Sequence, residues 1–206
     1  MLLFYHVPTG TSTWSCHMKP GSRICCIPAI QTLEMHNVGP WVSVKLDFLE
    51  GVNIVSGDNG SGKTVLIRSI LAAVRNRFPS EYVRNGSRDD AGIRLEFTSH
   101  QVSAVSPANI PEVKDGPELS KGERLYERLV RFVRLRRSFA GYCVVCGDML
   151  ELLDEGLYRK ALGLLRKLKC QVIIELKRDY PYGGARHFVC YSDSATKSSR
   201  VEIFDR

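Results

Sequence analysis

The stretch that most constrains this chain is Gly57-Asp58-Asn59-Gly60-Ser61-Gly62-Lys63-Thr64. It satisfies the phosphate-binding loop pattern G-x-x-x-x-G-K-[ST] at every constrained position. Its flanks suit the same task. Residues 51–56 read as a short buried strand running into the loop, and residues 65–74 read as a helix leaving it. In that setting successive backbone N–H groups form an anion-binding nest, and the helix N-terminus adds the positive end of its dipole. Glycines at 57, 60 and 62 permit positive φ and a close approach of backbone to phosphate. The expected nucleotide-binding set is Gly57, Asp58, Asn59, Gly60, Ser61, Gly62, Lys63, Thr64 and Val65. Lys63 is expected to reach the β- and γ-phosphates, and the Thr64 hydroxyl to ligate Mg²⁺.

Strands and helices alternate from the loop onward. The helix is predicted to run to about Phe78, where Pro79 ends it. Residues 93–97 alternate as a strand. Residues 99–118 carry Pro107, Pro111 and Pro117 and read as a long loop. Ser120 then caps a strong helix, and Glu123, three residues on, completes a capping box. Residues 142–146 are a continuous apolar run, as in a central parallel strand, with Asp148 just past the end. A helix is predicted near 156–168, a second buried strand at 170–174, and a closing hairpin from 186–191 and 200–204. Ahead of the loop, residues 30–35 and 42–48 alternate apolar and polar around a turn. This order predicts an α/β fold with a mostly parallel central sheet and an N-terminal antiparallel β-subdomain. Residues 1–28 have no period and read as a loosely ordered extension, which leaves residues 29–206 as the folded domain.

Charge and cysteines narrow the partners. No apolar run approaches the ~20 residues of a membrane span, and residues 1–8 lack the basic start of a signal peptide. A cytoplasmic location without a membrane partner is expected. The net charge of +7 and a pI near 9.1 favour an anionic partner, either nucleotide alone or nucleic acid as well. Of the seven cysteines, Cys143 and Cys146 have CxxC spacing. They lie in a predicted strand, where positions three apart face opposite sides, so buried thiols are favoured over a zinc site.

Three separated stretches resemble the SMC, RecF and RecN group of ABC-type ATPases. Residues 33–40 followed by 52–64 look like the start of such a head, with Asn59 typical before the second glycine. Leu119-Ser120-Lys121-Gly122-Glu123 is similar to the signature motif, usually LSGGE. Gly147-Asp148-Met149-Leu150-Glu151-Leu152-Leu153-Asp154 is similar to the Walker B and D-loop segment. The resemblance spans residues 29–206. It implies a P-loop NTPase of the ABC-head type that uses ATP and Mg²⁺, with Lys63 and Asp148 catalytic and Thr64, Gln101 and Asp148 at the metal. It implies an ATP-sandwiched homodimer in which Leu119, Ser120, Lys121, Gly122 and Glu123 act in trans and Asp154 is the D-loop aspartate. It also implies work in DNA repair or chromosome maintenance, with DNA and accessory repair proteins as partners and a nucleoid-associated location.

The chain departs from the group at three places. If Asp154 is the D-loop aspartate, Gly147 falls on the metal position and Asp148 on the general base; a one-residue shift puts Asp148 at the metal and Met149 at the base. In either register one carboxylate stands where two are usual, and loss of a positioned base costs ~10²–10⁴-fold in rate. The group's His after the strand at 170–174 is replaced by Glu175-Leu176-Lys177. About 54 residues separate Thr64 from Leu119, which leaves no room for coiled-coil arms. Three functions are therefore carried forward: a dimerising ATPase, a nucleotide-gated switch with little hydrolysis, and a DNA-binding protein with a vestigial nucleotide site.

Overall fold

The computed structural model describes residues 24–74, 82–84, 91–98, 120–135, 141–147, 150, 152–177 and 183–205. In chain order the elements are β1 (Ile24–Pro28), β2 (Ile30–Val38), β3 (Trp41–Asp47), β4 (Val52–Gly57), α1 (Lys63–Val74), β5 (Gly92–Phe97), α2 (Lys121–Leu135), β6 (Tyr142–Cys146), α3 (Glu155–Arg166), β7 (Gln171–Glu175), β8 (Ala185–Asp193) and β9 (Ser198–Asp205).

They form two sheets. The larger has the order β1-β6-β7-β4-β8-β9. Its four inner strands are parallel to their neighbours, and β1 and β9 close the edges antiparallel. The inner strands β4 and β7 are buried almost throughout, as expected where both faces of a parallel sheet are covered. The smaller sheet, β3-β2-β5, is antiparallel. In β3 the apolar residues Trp41, Val44 and Leu46 are buried while Val42, Ser43, Lys45 and Asp47 are exposed.

The core has two compartments. One lies where the small sheet and α1 meet the large sheet, and includes Leu33, Trp41, Leu46, Ile70, Val145 and Phe188. The other includes Leu129 of α2 and Leu162 and Leu165 of α3, packed with Ile54, Val144 and Ile174. Each compartment thus takes alternate residues of the same central strands. Cys143 belongs to the first and Cys146 to the second, so the CxxC pair is split between opposite faces of β6, as alternation on a strand requires. No helix among the described residues is long and apolar enough to cross a membrane.

Two elements differ from the sequence reading. Within the stretch read as an extension, Ile24–Pro28 is β1 and pairs with β6. Its run Ile-Cys-Cys-Ile-Pro has no alternation, and its place is set by pairing with an edge that sequence pattern does not reveal. The second buried strand is Gln171–Glu175, one residue later than read. Glu175 therefore ends the strand rather than following it.

Candidate functional site

The loop sits at the carboxyl end of β4, where ligands of open parallel sheets bind. Gly57, Gly60 and Gly62 all have positive φ, at 141°, 82° and 91°. Gly62 is also crowded: a Cβ there would come within 2.8 Å of Pro40 Cγ and Trp41 Nε1 and 3.0 Å of Ser199 Oγ. The loop opens directly into α1, with the Leu66 N–H donating to the Gly62 carbonyl at 3.0 Å. Trp41, fully buried, donates its indole N–H to the same carbonyl at 3.2 Å. The small sheet thus braces the loop from one side.

The predicted loop residues are brought together. Asp58, Asn59 and Gly60 are exposed at its tip, while Ser61 and Lys63 are buried. Lys63 is only 6% exposed and donates from Nζ to the Asp58 carbonyl at 2.7 Å. Buried ammonium is costly without polar partners, so the lysine is held across the loop it serves. Ser61 Oγ is buried without a hydrogen-bond partner. Val65 packs against Gly39 in the turn between β2 and β3.

Beneath the loop lies a residue that the sequence reading passed over. The Thr64 hydroxyl donates to Glu175 Oε1 at 2.5 Å, and Glu175 is 3% exposed. In register Glu175 is beside Val55 of β4, one step past the Cys146–Ile174 pair of β6 and β7. A Cβ on Gly147 would stand 3.8 Å from Glu175 Oε2. The signal was available: a carboxylate at the carboxyl end of a buried parallel strand, level with the end of β4. The family resemblance points to a histidine after this strand, which draws the eye past the carboxylate that ends it. Cys190, next to this cluster, has its thiol pushed up to about 12, mainly by burial; Lys63 lowers it and Glu175 raises it.

At the start of α2 the predicted capping box forms. The Glu123 N–H donates to Ser120 Oγ at 3.2 Å, and the Ser120 N–H donates to Glu123 Oε2 at 2.8 Å. Hydrogen bonding from the Ser120 backbone N–H, and then from the Ser120 side chain, holds the Glu123 carboxyl below its usual range. Gly122 lies against the segment before α3, since a Cβ there would be 2.8 Å from the Leu152 carbonyl oxygen. Asp154 caps α3, accepting from the Leu157 N–H at 2.8 Å. Two helix N-termini, those of α2 and α3, therefore sit side by side. Leu119, Gln101 and Asp148 lie outside the described residues, as does the Lys121 side chain.

The donor set fits Mg²⁺ in kind. Thr64 and Glu175 are hard oxygen donors in contact at the loop. Mg²⁺ with a nucleotide commonly takes only one or two protein ligands, the rest being phosphate and water. That is compatible with there being no group of three or more His, Cys, Asp or Glu residues placed for a metal among the described residues.

A strand, a glycine loop running into a helix, and a Lys–Thr pair at the carboxyl edge of a mostly parallel sheet define a P-loop nucleotide-binding domain, here with an antiparallel sheet laid against it as in an SMC head. A crystal structure of the SmcHead bound to the C-winged helix domain of ScpA aligns with a TM-score of 0.58 at 12% identity, covering 86% of this chain and 98% of that one. Residues 32–134, half of the chain, match the AAA domain family; the chain belongs to that family and carries an ATP-binding domain of the AAA type. The Septu protein PtuA of Bacillus thuringiensis is 33% identical over 70 residues, which are 34% of this chain and 18% of that protein. The chain thus matches less than a fifth of that relative's length.

Proposed function

We propose that this domain is an ATP-driven dimerising head. ATP and Mg²⁺ bind at loop 57–64, and the α2 N-terminus of a second copy meets the γ-phosphate in trans through Ser120 and Gly122. The observation that carries this reading is the convergence of buried Lys63, the Thr64 hydroxyl and the Glu175 carboxylate at a loop with three positive-φ glycines. A helix N-terminus carries the positive end of its dipole and favours an anion, and α2 begins at Lys121, directly after Ser120. In the register that makes Asp154 the D-loop aspartate, Asp148 is the general base; shifted by one residue, Asp148 stands at the metal with Gln101. Light scattering with and without Mg-ATP, with phosphate release followed on the same sample, tests the reading. The expected result is a monomer that becomes a dimer and releases phosphate, with neither change in Lys63→Ala. No change of size in the wild type would sink the dimer.

One observation favours a second reading, a switch that closes on ATP and hardly turns it over. Gly147, at the end of β6, carries no carboxylate where the ABC-head plan has one. Asp148→Asn separates the two: it abolishes phosphate release but keeps ATP binding if hydrolysis is real, and changes nothing if the wild type is already inert.

The net charge of +7 and the head-like fold support DNA as the partner on which closure acts, in the manner of the RecF and RecN branch, in the cytoplasm and at the nucleoid. Binding to a labelled duplex should fall steeply with salt and respond to ATP. Salt-dependent binding indifferent to ATP would instead mark a vestigial nucleotide site.

A further inference from the structure

We propose that Glu175, at the end of β7, is the carboxylate that anchors Mg²⁺ beside Thr64, in place of an acid at the end of β6. The inference rests on the nucleotide-binding reading above and adds to it a residue role that the ABC-head plan does not contain.

Its ground is geometric. β6 and β7 are parallel neighbours in register, so the residues that follow Cys146 and Ile174 come out side by side at the carboxyl edge. On β6 that residue is Gly147; on β7 it is Glu175. The Glu175 carboxylate occupies the space in front of both strands. Its Oε1 accepts from the Thr64 hydroxyl at 2.5 Å, and its Oε2 lies 3.8 Å from where a Gly147 Cβ would be. A side chain longer than alanine on residue 147 would enter the region that Glu175 now fills.

Packing alone is a poor account of this residue. The rest of β7 is Gln171, Val172, Ile173 and Ile174, all buried. Gln171 spends its amide on backbone groups of the small sheet and the loop before β4. A carboxylate in such a strand is expensive unless it is paired or holds a cation. Among its partners is the hydroxyl that this class of loop offers to the metal. Lys63 and Glu175 also share a neighbour, since both act on the Cys190 thiol with opposite sign.

The test reads the metal directly. Mn²⁺ replaces Mg²⁺, and its binding in the presence of ADP is followed by electron paramagnetic resonance. ADP affinity is measured separately in EDTA. Glu175→Gln, nearly isosteric, should weaken Mn²⁺ binding by about 10–100-fold, the usual cost of losing a carboxylate at or next to a metal. Its ADP affinity in EDTA should stay within about threefold of wild type (about 0.7 kcal/mol). Glu175→Ala, which also empties the space beside residue 147, should lose at least as much, and Gly147→Asp added to it should recover part of the lost Mn²⁺ affinity by returning the acid to β6. Wild-type Mn²⁺ affinity in Glu175→Gln overturns the inference and leaves nucleotide binding intact. Absence of recovery in the double variant, at a melting temperature equal to that of Glu175→Ala, overturns the claim that the two positions share one site. Failure of the wild type to bind ADP or ATP under any condition overturns both this inference and the reading beneath it.

Discussion

Gly62 concentrates the constraints on the loop into one residue. Its φ of 91° is in the region that L-residues rarely adopt, and three side chains close the space a Cβ would need. Gly62→Ala should therefore displace the loop from Trp41 and weaken ATP binding by at least about 100-fold, about 2.7 kcal/mol. Titration with a fluorescent ATP analogue checks this. The fold should survive, because β4 and α1 are held by their own core residues. Cys190 yields a prediction of a different kind. Burial raises its folded pKa to about 12 from an ordinary 9.0. A raised folded pKa means that the buried neutral thiol contributes its full stability below pH 9, and that this contribution falls as pH climbs toward 12. Urea midpoints taken from pH 8 to 11 should decline in the wild type more steeply than in Cys190→Ala. Parallel declines would show that the thiol stays protonated in the unfolded chain too, or that another group governs the slope.

At the scale of elements, local chemistry was legible wherever it is self-contained. The capping box at Ser120 and Glu123 could be read because it needs only four consecutive residues, and it forms as read. The loop could be read because its glycines and its Lys-Thr pair are adjacent in sequence. What was not legible depends on strand neighbours. β1 has no period of its own and takes its place from β6. Glu175 acquires meaning only because β7 lies between β4 and β6, which puts its carboxylate under a threonine 111 residues away. The start of α2 also supports a prediction. Ser120→Ala removes one cap and should cost about 1 kcal/mol of stability. If α2 also meets phosphate across a dimer, ATP-dependent dimerisation should fall by much more than the tenfold that ~1.4 kcal/mol represents. Equal small losses in both, measured by thermal melts and light scattering, would reduce Ser120 to a helix cap.

At the scale of the molecule, the question is what keeps the small sheet seated against the large one, since Trp41 reaches the loop only if it stays there. Apolar residues of both sheets share one core compartment, but hydrophobic contact is non-directional. The hydrogen bonds of Gln171 are directional. Only 2% exposed at the first position of β7, it accepts from the Ile30 N–H at 2.8 Å and donates to the carbonyls of Ile30 at 2.7 Å and Leu49 at 2.9 Å. One amide therefore clips the start of β2 and the approach to β4 onto the central strand. Gln171→Leu keeps the volume but deprives these backbone groups of their side-chain partner. Each buried group left unmade costs about 1–3 kcal/mol, so the variant should lose about 3 kcal/mol, read as a lower urea midpoint with an unchanged slope. ATP affinity should fall less than tenfold, because the loop hangs on β4 and α1 and only its brace at Trp41 is loosened. A loss below about 1 kcal/mol would mean that water or a shifted backbone replaces the amide, and that core packing alone aligns the two sheets.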